Sequence, residues 1–168
     1  NKLIITVVLI QLVAVFGAFL MSRLSGIYGN LSVLMCVVIL WIILCVSAYT
    51  IATLKEGGEE VEFYFYWLAT GVGLVMGGIQ SLSRSTYSKL MPDTRDTASF
   101  FSFYDVTEKV AIVIGIFTFG YIDEVLGMKN SVLALIVFFA LGFFALIITR
   151  REQIKSLKSQ ATATSVIG

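Results

Sequence analysis

Asp105, Glu108 and Lys109 lie close together in a run that otherwise reads as membrane-spanning. It runs Phe100-Phe101-Ser102-Phe103-Tyr104-Asp105-Val106-Thr107-Glu108-Lys109-Val110 and then stays apolar to Tyr121. A charge near the bilayer centre costs roughly 2.5–3.5 kcal/mol on insertion scales, so ionisable residues inside a span mark pathways, proton relays or ion-pair partners. On a helix, residues three and four apart share a face, which places these three side chains within one wedge of about 100°. Asp105 precedes Lys109 at the favourable acid-before-base spacing. Counting back from Tyr121 at about 1.5 Å per residue puts Lys109 about 18 Å in, near the middle of a core about 30 Å thick. Two acids and one base leave one negative charge over, and Arg84, at the end of the preceding span, is the nearest plausible partner. Three readings stay open: a structural or gating ion-pair network, coupling to a substrate or proton, and an amphipathic stretch outside the bilayer.

The segment before it carries a second group. Gly71, Gly73, Gly77 and Gly78 are followed by Gln80, Ser81, Ser83 and Arg84. Small residues let membrane helices approach closely, since lipid gives apolar side chains no reason to associate. The plain reading is a close-packed helix pair, and the sharper one is a rocking surface with Gln80 and Arg84 as gate contacts. The aromatic run Phe63-Tyr64-Phe65-Tyr66-Trp67 reads as an interfacial anchor.

These residues must be positioned by membrane helices. Of 168 residues, 58% are hydrophobic and only 14% charged, against about 25% charged in soluble domains. Five apolar segments have near the roughly 20 residues needed to cross the hydrocarbon core: Leu3–Met21, Leu31–Leu54, Phe63–Leu82, Phe100–Tyr121 and Val132–Thr149. The connections between them are Ser22–Asn30, Lys55–Glu62, Ser83–Ser99 and Ile122–Ser131. The expected fold is an all-α polytopic membrane helical bundle over residues 1–151, with a polar tail at 152–168 expected to be disordered. The first segment is too long for a signal peptide and lacks a cleavage-like end. The chain begins with Asn1 rather than methionine, so it reads as part of something longer.

Loop charge assigns the sides. Arg23, Arg84, Lys89, Arg95, Arg150, Arg151, Lys155 and Lys158 fall on one side of the alternating spans, which the positive-inside rule makes cytoplasmic. Lys2, Lys55 and Lys129 fall on the other, beside Glu56, Glu59, Glu60, Glu62, Asp123 and Glu124. The carboxyl end is therefore expected inside. Cys36 and Cys45, nine positions apart on one helix and so about 13 Å apart along it, are out of disulfide reach. There is no histidine, which removes the commonest proton shuttle near neutral pH, and no metal-ligand cluster or nucleophile–base pair suggests an enzyme. A net charge of +1 gives no hint of nucleic acid.

Gly77-Gly78-Ile79-Gln80-Ser81-Leu82-Ser83-Arg84-Ser85, Lys89-Leu90-Met91-Pro92-Asp93 and Phe100 to Lys109 together resemble the major facilitator superfamily. The closer likeness is to the branch related to the vacuolar amino-acid effluxer of the autophagy pathway and its bacterial relatives. That resemblance implies a twelve-span fold in two six-span halves, with these five helices as spans eight to twelve. It implies a secondary transporter of small solutes, with amino-acid efflux as the suggested activity, in a bacterial inner (plasma) membrane. Its partners would be the lipid bilayer, the missing amino-terminal half and a small-molecule substrate, with no nucleic acid and no cofactor. Gln80, Arg84, Asp105, Glu108 and Lys109 become substrate or gating candidates, and Gly71, Gly73, Gly77 and Gly78 packing positions. The first loop would match the superfamily's Gly-x-x-x-Asp-x-x-Gly-Arg loop in degraded form: Leu24 and Gly29 remain, but Gly26 replaces the usual aspartate and Asn30 the usual basic residue. A non-transporting membrane module or degenerate transporter half, acting in assembly, is the alternative.

Overall fold

The structure, a computed structural model, describes residues 2–56, 62–92 and 96–167, with side chains described for 4–55, 63–92 and 96–159. Among these residues the regular structure is helix alone: α1 (Lys2–Tyr28), α2 (Asn30–Glu56), α3 (Glu62–Leu90), α4 (Thr97–Leu126) and α5 (Met128–Ile167). Asp93 and Arg95 of the expected third loop, and Glu59 and Glu60 of the second, lie outside the described residues, as do the side chains of Lys2, Glu56 and Glu62.

The helices outrun the apolar segments. The expected loop Ser22–Asn30 is helical up to Tyr28 and breaks only at Gly29, whose φ of 84° is a left-handed value that glycine adopts without steric cost. The Gly29 amide donates to the Ser25 carbonyl at 3.0 Å, and the Gly29 carbonyl accepts from Val33 at 3.2 Å, so one residue closes α1 and opens α2. Ile122–Ser131 behaves the same way: Gly127, also at φ 84°, donates to Asp123 and accepts from Ser131. Hydropathy marks where lipid ends, whereas a helix continues until something stops its ladder. The tail corrects the expectation of disorder for that reason. Residues 152–167 continue α5; no glycine or proline interrupts the run, and Lys155 pairs with Glu152 at 2.7 Å one turn away.

Among the described residues four helices are long and apolar enough to cross a membrane: Ile4–Tyr28, Asn30–Lys55, Phe63–Leu90 and Met128–Ser159. α4 is the exception, because Asp105, Glu108, Lys109, Asp123 and Glu124 dilute it. The protein is an integral membrane helical bundle. Its helices pack in series, α1 against α3, α3 against α2, α2 against α5 and α5 against α4, with a smaller contact between α1 and α2. Met21, Val33, Leu34, Val37, Val75 and Leu82 form the core where α1, α2 and α3 meet. Trp41 of α2 stacks on Phe139 of α5, ring centroids 5.2 Å apart. Each helix also carries large apolar side chains outward, such as Val8, Leu12, Ile43, Phe117 and Phe144. Such extensive apolar exposure suits lipid or further helices rather than water.

Candidate functional site

The glycines of α3 determine how closely it approaches α1. A Cβ at Gly73 would stand 2.7 Å from the Ile10 carbonyl oxygen, and one at Gly77 would overlap the Ala14 carbonyl outright. Reciprocally, a Cβ at Gly17 of α1 would overlap the Leu74 carbonyl. Backbone meets backbone, an approach that only small residues permit. Gly78 faces the Met21 side chain, whereas Gly71 faces Leu44 of α2. Gly17 escaped sequence analysis because a single glycine inside an apolar run carries no periodic signal.

Seven residues is close to two helical turns, so Gly73 and Gly77 share a stripe with Gln80, Arg84 and Tyr87. Below the glycines this stripe turns polar and reaches α4. The Arg84 guanidinium donates to Asp105 Oδ1 at 2.6 Å, with the two side chains 58% and 48% exposed. One turn on, the Tyr87 hydroxyl donates to the Phe100 carbonyl at 3.0 Å. Its ring lies against Phe101 and Tyr104, centroids 5.9 and 4.9 Å away. Among the described residues α3 and α4 have no close backbone approach. Among the described residues side chains bridge them, with Ser83 also hydrogen-bonded to the Tyr104 side chain.

Asp105 therefore meets Arg84 rather than Lys109, its expected partner one turn along the same helix. An arginine supplies several fixed donors and stays charged, which suits it to a carboxylate across a gap. Glu108 is half-buried and Lys109 exposed. Among the described residues neither is in an ion pair or side-chain hydrogen bond, which leaves both charges on the α4 surface beside the bridge. Gln80 is likewise exposed, one turn above Arg84. No group of histidine, cysteine, aspartate or glutamate among the described residues could hold a metal.

A second polar cluster joins the α1–α2 turn to the end of α3. The Asn30 amide donates to Ser85 Oγ at 2.6 Å, and its carbonyl accepts from Lys89 Nζ at 2.7 Å. Its members are 55 and 59 residues apart in the chain, so no local pattern could announce it.

The family model described as vacuole effluxer Atg22 like matches residues 1–159. An uncharacterized MFS-type transporter of Bacillus subtilis, YxiO, is 28% identical over 95% of this chain and 36% of its own length. Autophagy-related protein 22 of Cryptococcus neoformans is 32% identical over 75% of this chain and 24% of its own. Autophagy-related protein 22-1 of Penicillium rubens is 28% identical over 83% and 25%. The chain thus spans about a quarter to a third of the length of these relatives. No solved structure matches it.

Proposed function

Because the chain belongs to the vacuole effluxer Atg22-like family, in the major facilitator superfamily, we propose that it forms the carboxyl-terminal part of a secondary transporter. In this reading two pseudo-symmetric halves rock about a site near the membrane midplane, and α4 is the charged span facing that site. The observation that carries the proposal is the Arg84–Asp105 pair. It closes a gap between two helices whose backbones do not pack, as a gate must if it is to part without dismantling the fold. Glu108 and Lys109, left uncommitted beside it, are available to a substrate or a coupling proton.

An amino acid carries one cationic and one anionic group, and Glu108 with Lys109 offers the complementary pair one residue apart. We take small amino acids as the substrate class, in keeping with the effluxer name of the family. The carboxyl end is cytoplasmic in this reading, since Arg84, Lys89, Arg150 and Arg151 gather on that side. The membrane is a bacterial plasma membrane, in keeping with the Bacillus relative that covers nearly the whole chain. Transport by rocking involves no bond-making, so no catalytic residue is assigned.

The test is counterflow in liposomes carrying the full-length protein, with a panel of labelled amino acids and an imposed pH gradient. At least one amino acid should exchange, and Asp105→Asn should abolish the exchange. Well-folded protein that exchanges none of them would remove the substrate class. Exchange that survives Asp105→Asn would remove the gate.

A further inference from the structure

The acids Asp105 and Glu108 of α4 stand about one turn apart in different surroundings. The Asp105 carboxylate is answered by the Arg84 guanidinium at 2.6 Å, a cation that keeps its charge at every physiological pH. Glu108 is in no ion pair or side-chain hydrogen bond among the described residues. It shares with Phe101, Tyr104 and Gly115 the half-buried face of α4, whereas Phe103, Val106, Lys109 and Val110 turn outward. Two neighbours cover that face, α5 by close approach and α3 through its side chains.

Among the described residues the charged and titratable groups near Glu108 are few. On α4 they are Tyr104 and Asp105, one turn before it, and Lys109, about 100° round the helix. From α3 come Arg84, already bound to Asp105, and Tyr87, whose hydroxyl donates to the Phe100 carbonyl. Tyr104 sits within the fields of Arg84, Asp105 and Glu108 at once, its own hydroxyl hydrogen-bonded to Ser83. α5 contributes none, since it holds no ionisable residue between Lys129 and Arg150. Each of these cations is thus spent or turned away. A carboxylate among apolar helices is costly to keep charged and unpaired. Two things relieve it, a proton or a cation brought from solution. The ammonium of an amino acid is such a cation, and one carboxylate does not hold both.

Resting on the transport reading above, we infer that Glu108 binds a proton and the substrate's ammonium in turn, so that solute and proton cross the membrane in opposite directions. As the ammonium arrives, the proton leaves the Glu108 carboxyl for water; as the substrate departs, a proton returns. Asp105, held by Arg84, takes no part in this cycle. Antiport then follows from competition for one side chain and requires no second site.

The test has two arms, both on the full-length protein. Dicyclohexylcarbodiimide forms adducts with protonated carboxyls, and peptide mass spectrometry should find it on Glu108 and not on Asp105. Labelling should fall as pH rises, and fall again at fixed pH when L-alanine or L-serine is added. In the second arm, binding of the same two amino acids is followed against pH by calorimetry. Where Glu108 is protonated, affinity should rise about tenfold per pH unit, the slope for one displaced proton. Glu108→Gln should weaken binding about tenfold or more and flatten the slope, whereas Glu108→Asp and Asp105→Asn should keep it. A flat slope in the wild type, affinity that rises as pH falls, or a slope lost in Asp105→Asn but kept in Glu108→Gln would each overturn the inference. Labelling of Glu108 with no binding of either amino acid would remove the substrate reading and the competition with it. Binding with no labelling would remove the competition alone.

Discussion

Along one stripe of α3, Gly73 and Gly77 press on the α1 backbone, while Arg84 and Tyr87 reach across to α4 with their side chains. The first contact depends on having no side chains and the second on having long ones. Close backbone packing has little room to vary, because any displacement creates overlap or a void. A contact made at the ends of extended side chains can lengthen, swing or break while both helices stay as they are. One helix thus holds a fixed joint in its upper half and a releasable one in its lower half.

The largest effect should come from attacking the fixed joint. Gly77→Leu forces atoms into the Ala14 carbonyl; overpacking a tight core costs about 1–3 kcal/mol or more, and backbone offers little relief. We expect loss of most monodisperse full-length protein, while Gln80→Leu on the same stripe leaves yield near normal. Equal yields would erase the contrast.

Next is the releasable joint. Arg84→Asp and Asp105→Arg should each lower exchange in liposomes at least tenfold at near-normal yield, and the double exchange of charges should recover much of it. Pairs in contact couple by about 0.5–3 kcal/mol; additive losses in the double variant would show that the two residues act separately. Lys109→Ala should reduce exchange severalfold with no change in melting temperature, because no described residue depends on it. A fall in melting temperature matching the loss of exchange would make Lys109 structural. The smallest effect belongs to Tyr87→Phe, which removes the hydrogen bond to Phe100 but keeps the ring contacts. A stability loss of about 0.5–1.5 kcal/mol is expected, and none at all would mean that the aromatic packing alone joins these helices there.

Much of this was legible in the chain. Apolar runs located the helices, since a membrane leaves helices and closed barrels as the only spanning options. Gly71, Gly73, Gly77 and Gly78 stood out because they cluster. Arg84 could be named as a partner for the surplus acid from charge counting alone. What could not be read depends on which helices become neighbours. Gly17 matters only once α1 lies on α3. Asn30, Ser85 and Lys89 converge only because the α1–α2 turn folds to the end of α3. The choice of Arg84 over Lys109 by Asp105 is a matter of reach between two helices, which spacing along one of them does not contain. Helix ends are less legible for a different reason: polar residues do not by themselves stop a helix, whereas Gly29 and Gly127 supply the stops.

Gly127 has a consequence for how the protein is made. With a single residue between them, α4 and α5 emerge in succession with no linker and are placed to enter the membrane as one hairpin, whose turn the fully buried Ser131 ties through its hydroxyl to the Phe119 carbonyl at 3.3 Å. α4 is too charged to partition into lipid readily alone, whereas α5 has a strongly apolar stretch. Bound together, the reluctant helix follows the willing one across. A flexible insert of a dozen residues after Gly127 should therefore disrupt membrane integration of α4 while leaving α5 in place.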